Sequence, residues 1–125
     1  MIGKALAEMN QRKAALEAFD EALAYDIKFA EAYTNRGNML CELGRFAEAL
    51  SSYDRALELE PIAPNWLNRG TALEPMGRVD EAIESYDKAI ALEPTASLSY
   101  INRAHALGRA GRFQEALASA ERAIE

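Results

Sequence analysis

Apolar side chains along this chain recur at the spacing of one helical face, and they do so in sets that repeat. Phe46, Ala49, Leu50, Tyr53 and Leu57 fall at i, i+3, i+4, i+7 and i+11, the stripe that an amphipathic helix buries. Val79, Ala82, Ile83, Tyr86 and Ile90 repeat it, and Phe113, Ala116, Leu117, Ala120 and Ile124 repeat it again. Ahead of each stripe lies another helical segment carrying an aromatic and a leucine: Tyr33 with Leu40, Trp66 with Leu73, Tyr100 with Leu107. Gly44, Gly77 and Gly111 separate the two segments, where a left-handed residue ends a helix. Asn10 holds that column in the first unit, and asparagine tolerates the conformation next best. Pro61 and Pro94 close the second segments, because the residue before proline avoids the helical region. The pattern predicts helices near 1–9, 12–25, 30–43, 46–59, 64–74, 79–92, 97–109 and 112–124.

The period is 33 or 34 residues. Asn35-Arg36-Gly37, Asn68-Arg69-Gly70 and Asn102-Arg103-Ala104 share it, and Phe19, Tyr53, Tyr86 and Ala120 carry the register one unit earlier. A repeat of this length built from two helices stacks into a solenoid. Gly37, Gly70 and Ala104 are expected to face Ala49, Ala82 and Ala116 within a unit so that the helices approach closely, with Tyr53 and Tyr86 filling space toward the neighbouring unit. Arg36, Arg69 and Arg103 are expected to pair with Asp20, Asp54 and Asp87 on the preceding second helix, each worth at most ~1 kcal/mol if exposed. Pro75 falls in the last turn of its helix, where it lacks an N–H and its ring crowds the carbonyl of Thr71. The 64–74 helix should therefore end early or kink, and Pro75→Ala should raise stability by up to a few kcal/mol.

Together these residues resemble the tetratricopeptide repeat. The family's pattern of aromatic, glycine, leucine, alanine, tyrosine, alanine and proline is carried by Trp66, Gly70, Leu73, Ala82, Tyr86, Ala89 and Pro94, and equally by Tyr33, Gly37, Leu40, Ala49, Tyr53, Ala56 and Pro61. Departures are Arg36, Arg69 and Arg103 where leucine is usual before the small residue, and Ile27 in the proline column of the first unit. The resemblance implies an all-α, right-handed α-solenoid of antiparallel helix pairs. It would form a single array over 1–125, with units of about 1–29 (truncated), 30–62, 63–96 and 97–125 (incomplete). It also implies a protein–protein interaction scaffold and not an enzyme.

Composition narrows the setting. Half the residues are apolar, 27% are charged and the net charge is −6. The composition folds, and the acidic balance argues against nucleic acid or an anionic membrane as partner. No run approaches the length of a membrane span and the start lacks a signal-peptide core, so the expected location is cytoplasmic. The single cysteine, Cys41, and single histidine, His105, leave no disulfide and no zinc site. No cofactor is expected. Two repeat steps separate Cys41 from His105, roughly 20 Å in a stack of helices each about 10 Å wide, too far for a nucleophile–base pair. The acidic pairs Asp80/Glu81 and Glu58/Glu60 read as solvated helix faces.

The asparagine column carries the functional expectation. In tetratricopeptide arrays the first helix of each unit lines the concave groove, and Asn35, Asn68 and Asn102 stand in one groove column. They resemble the asparagine ladder in the repeat region of the O-linked N-acetylglucosamine transferases, and the Tyr-x-Asn-Arg-Gly-Asn run from Tyr33 to Asn38 resembles bacterial SPINDLY-like arrays. An amide both donates and accepts, so it can pair with the main chain of an extended peptide; the plainer explanation is a consensus copied by duplication. Neighbouring groove columns supply Thr34, Asn38, Leu67, Thr71, Ile101 and His105, and no lysine. That argues against a clamp for acidic tails and for a neutral or partly apolar partner. Two other uses remain open: the substrate-binding repeats of a larger enzyme such as a protein O-glycosyltransferase, or a self-stacking assembly module. Phe113, Leu117 and Ile124 at one end, and Met1, Ile2 and Leu6 at the other, leave apolar faces uncovered, so weak self-association through the ends is expected.

Overall fold

Three glycines and one proline set most of the helix boundaries. The computed structural model describes residues 2–25 and 29–125, with side chains for 8–25 and 29–125. Among the described residues there are helices only: α1 (Ile2–Tyr25), α2 (Ala30–Glu42), α3 (Phe46–Leu59), α4 (Ala63–Leu73), a 3-10 turn (Glu74–Met76), α5 (Val79–Leu92), α6 (Ser97–Arg109) and α7 (Phe113–Ala123). They fall into two units, Met1–Glu60 and Pro61–Glu125.

Gly44, Gly77 and Gly111 adopt φ of 75°, 77° and 78°, the left-handed conformation that a side chain resists. Each ends its helix the same way. Arg45 N–H donates to Leu40 O at 2.8 Å, Arg78 N–H to Leu73 O at 3.1 Å and Arg112 N–H to Leu107 O at 2.9 Å, which satisfies a carbonyl the helix end would orphan. Asn10 does not follow them. Two helices with a break at Asn10 were expected, and α1 instead runs unbroken from Ile2 to Tyr25. No described residue other than glycine has a positive φ. Asn10 is followed by Gln11, Arg12, Lys13, Ala14, Ala15 and Leu16, mostly strong helix formers, and without a glycine nothing stops the helix there. The Ile27 column and the Met1, Ile2 and Leu6 side chains lie outside the described residues.

Pro75 acts as expected on geometry. Regular α4 stops at Leu73 and the chain tightens into the 3-10 turn before Gly77. Proline at an early position of that turn has no partner to lose, so the few kcal/mol of a proline inside a regular helix is not stored there.

In unit 1, α1 lays Leu16 and Leu23 against α2, and α2 pairs with α3 around Leu40, Ala49, Tyr53 and Ala56, all nearly solvent-free. In unit 2 the same pairing joins α4 with α5 around Leu73, Ala82, Tyr86 and Ala89. The nearest neighbours of Gly37 and Gly70 are tyrosine rings of the paired helix. A Cβ on Gly37 would lie 2.5 Å from Tyr53 Cε1, and one on Gly70 would lie 2.8 Å from Tyr86 Cδ1 and Cζ. Glycine is needed because the tyrosine ring of the paired helix lies flat against it. The third pair follows the same rule, with Ala104 in the glycine column and Ala120 in the tyrosine column.

The arginine column is structural. Arg36 Nε donates to Asp20 at 2.6 Å and Arg103 Nε to Asp87 at 2.6 Å, as the column match predicts. Each guanidinium also reaches a buried serine that the sequence reading passed over: Arg36 to Ser52 (2.7 Å), Arg69 to Ser85 (2.8 Å) and Arg103 to Ser119 (3.2 Å). Ser52, Ser85 and Ser119 repeat at the common period, so that signal was present in the sequence. At the start of each second helix, Arg45, Arg78 and Arg112 fork onto Glu48, Glu81 and Glu115. Those hydrogen bonds hold the three carboxyls below the usual carboxylate range.

Candidate functional site

Asn35 lies on α2, Asn68 on α4 and Asn102 on α6. Asn35, Asn68 and Asn102 are all half-exposed. Among the described residues, no hydrogen bond engages their side-chain amides. Flanking residues are more committed. Thr34 hydroxyl donates to Ala30 O at 3.3 Å, and Thr71 hydroxyl to Asn68 O at 2.7 Å. Leu67 is half-buried on α4. Leu98 and Ile101 on α6 are 55% and 52% exposed, an apolar step of α6 open to solvent.

Asn38 turns inward. Its Oδ1 accepts the Tyr53 hydroxyl at 2.6 Å, and Cys41 Sγ lies 3.6 Å from the Tyr53 hydroxyl oxygen. Burial pushes the Tyr53 hydroxyl well above its ordinary value, helped by the Cys41 hydrogen bond. Burial also raises the Cys41 thiol, against the Tyr53 hydrogen bond and with Glu42 repulsion behind it. A protonated, half-buried thiol is a poor nucleophile.

Unit 2 replaces this arrangement with a charged one. Glu74 occupies the column of Cys41, and the 3-10 turn at Pro75 carries it inward until the residue is 8% exposed. A buried carboxylate needs partners, and Glu74 has three. Oε1 accepts the Tyr86 hydroxyl at 2.7 Å. Oε2 faces His105 Nδ1 at 2.8 Å and accepts Arg109 Nη1 at 3.3 Å. Arg109 Nη1 also donates to the Glu74 carbonyl at 2.9 Å, so one guanidinium holds both the turn and its side chain. Tyr86 is pushed up strongly, by burial first and by its bond to Glu74 second. Thr71, Glu74, Pro75, Tyr86, Asn102, His105 and Arg109 line a cavity of about 290 Å³.

Of the residues named from sequence, unit 2 therefore brings Thr71, Asn102 and His105 together, and leaves Ile101 on the open face of α6. Glu74 and Arg109 stand in the groove columns of the sequence but were not picked as binding residues. Their signal is slight: an acid directly before a proline, where the other units carry cysteine or glycine. Among the described residues, no cluster could hold a metal ion and no helix is long and apolar enough to cross a membrane. Cys41 is tied to the Tyr53 network of unit 1, and His105 to the Glu74–Tyr86 network of unit 2.

Comparison with known proteins agrees with this architecture. The chain superposes on the crystal structure of MamA with a TM-score of 0.87, at 26% identity over 98% of this chain and 72% of that one. It matches the second TPR of Spaghetti (RPAP3) bound to the HSP90 peptide SRMEEVD with a TM-score of 0.74, at 25% identity over 81% of this chain and 95% of that one. A small glutamine-rich tetratricopeptide repeat-containing protein 2 from Mycosarcoma maydis is 32% identical over 57 residues, 46% of this chain but only 16% of that relative. The chain thus spans a small part of that relative's length. Tetratricopeptide repeat family models match residues 30–61 and 98–125, and a TPR repeat model matches 70–111. These matches together take in well over half of the chain, which belongs to the tetratricopeptide repeat family and has the fold of a protein-interaction scaffold.

Proposed function

We propose that the chain binds an extended peptide or partner segment through its asparagine amides, Asn35 on α2 of unit 1 and Asn68 and Asn102 on α4 and α6 of unit 2, each gripping main chain. The observation that carries this reading is the state of the three amides. They recur at one register, they are half-exposed, and among the described residues no hydrogen bond engages their side chains. An amide at a partly dry surface loses water without compensation unless a ligand or solvent pairs with it, and a peptide unit offers the matching donor and acceptor. The neighbouring Leu98 and Ile101 add apolar area.

The partner is neutral or partly apolar. Arg109 and His105 already face Glu74, and the groove columns hold no lysine. An acidic segment such as SRMEEVD, the peptide on the Spaghetti repeat, would meet the buried carboxylate of Glu74 beside Arg109 and His105.

The test selects peptides from a displayed random library against the wild-type chain. A selected peptide is then titrated against the triple variant Asn35→Ala, Asn68→Ala, Asn102→Ala. Binding should weaken at least about tenfold with the melting temperature nearly unchanged. Unchanged affinity, or an unfolded triple variant, would mean that the amides serve something other than a ligand.

A further inference from the structure

The cavity over Glu74 has a chemistry that selects what enters it. A carboxylate only accepts hydrogen bonds, so the 2.8 Å contact between Glu74 Oε2 and His105 Nδ1 places a proton on Nδ1. In the neutral ring Nε2 is then a bare acceptor. His105 is largely exposed, and no hydrogen bond among the described residues uses that second nitrogen. Arg109 spends one terminal nitrogen on both of its contacts to Glu74. Its Nη2 and Nε groups stay available, on a side chain that is 40% exposed. His105, Arg109 and Asn102 line the same cavity, so an acceptor nitrogen and a donor fork belong to neighbouring residues of its wall.

We infer that this cavity takes the side-chain carboxamide of an asparagine or glutamine in the partner segment, read by His105 and Arg109 and positioned by Glu74. The inference deepens the proposed binding role and rests on it. A carboxamide carries an acceptor oxygen and a donor nitrogen on one carbon, which matches Arg109 and His105 together. A carboxylate would suit Arg109 but would meet the His105 lone pair and the buried charge of Glu74. An ammonium would suit His105 but would meet the Arg109 guanidinium. An apolar side chain would leave both groups unpaired, the costly case for a polar site. The available volume, about 290 Å³, admits one side chain of this size.

Glu74 is a positioning residue in this scheme, since it fixes the histidine tautomer without reaching the ligand. It is itself held by Tyr86 from α5 and by Arg109 from α6.

The chain has a single histidine, so a long-range ¹H–¹⁵N spectrum reports one imidazole. At about pH 8, where imidazole is ordinarily neutral, the wild type should show a protonated Nδ1 and a bare Nε2. Glu74→Gln should lose that preference. N-acetyl-glutamine-N-methylamide should then shift Nε2 saturably. The glutamate, lysine and alanine analogues should bind at least about tenfold more weakly. Arg109→Lys, checked for folding by circular dichroism, should erase the advantage of glutamine over alanine. A proton on Nε2 in the wild type, or a response equal for alanine or stronger for glutamate, overturns the assignment. If the glutamine analogue leaves His105 unmoved while peptide binding still depends on the asparagines, the cavity assignment falls alone. If glutamine still selects the cavity but the asparagines do not matter, the groove reading falls alone.

Discussion

Gly70→Ala is the sharpest test of how these helix pairs hold together. Alanine is the better helix former by about 1 kcal/mol, and on propensity alone the change should stabilise α4. The packing opposes it. The new Cβ would stand 2.8 Å from Tyr86 Cδ1 and Cζ, well inside contact distance for carbon. The ring has no room to retreat: Tyr86 is 1% exposed and its hydroxyl donates to Glu74 at 2.7 Å. Overpacking of this kind costs about 1–3 kcal/mol, and pulling the hydroxyl off Glu74 adds about 1 kcal/mol. The net expectation is a loss of about 1–3 kcal/mol, roughly 4 °C of melting temperature per kcal/mol for a chain of this size. The decisive assay is a double-mutant cycle by urea unfolding. Tyr86→Ala alone should cost about 3–5 kcal/mol. Adding Gly70→Ala to it should be neutral or stabilising, because the clash has gone and only propensity remains. The sign of the glycine substitution thus reverses with its partner, as the natural Ala104/Ala120 pairing suggests. Stabilisation by Gly70→Ala in the wild-type background, or simple additivity in the cycle, would refute the reasoning.

Arg36→Ala should cost about 1–2 kcal/mol, more than Asp20→Ala, because it also strips the buried Ser52 hydroxyl of its guanidinium partner; chemical unfolding of both variants measures the difference. High pH should unfold the chain through Tyr53 and Tyr86. Their folded values are raised above the ordinary 10 or so, so the stability they contribute is complete below pH ~10. It falls by up to about 1.4 kcal/mol per pH unit per tyrosine above that, and Tyr53→Phe with Tyr86→Phe should flatten that slope in circular dichroism. Phe113, Leu117 and Ile124 are 71%, 62% and 87% exposed, and this chain should self-associate weakly. Leu117→Glu should remove concentration dependence from light scattering, and a wild type that stays monomeric across the concentration series would disprove the expectation.

The fold was legible because a stacked repeat applies the same steric demands in every unit. Left-handed glycines, buried leucines and close-packed alanines must recur at one period, so a single sequence samples each constraint several times. The serine column behind Arg36, Arg69 and Arg103 obeyed that logic too, and was readable from spacing alone. The partner of Gly37 and Gly70 was not. Glycine and alanine columns repeat together, and only the coordinates reveal that the missing Cβ makes room for a tyrosine ring. The asparagine break misled because a column match says which residue aligns and not whether the helix there has reason to stop. At Asn10 the following residues favour helix and no glycine opposes them.

The cavity was illegible for the opposite reason: it is built from departures. Cys41, Glu74 and Gly108 share a column and have nothing chemical in common, so periodicity averages the glutamate away. Its burial depends on Pro75, which no other described unit places there, and on Arg109 and His105 arriving from the next helix pair of the same unit. Each alone reads as a surface residue. Since a repeat's shared columns specify the scaffold, its binding selectivity has to reside where the units differ. In unit 2 the largest such difference is a buried carboxylate that turns a neighbouring imidazole to present its acceptor nitrogen.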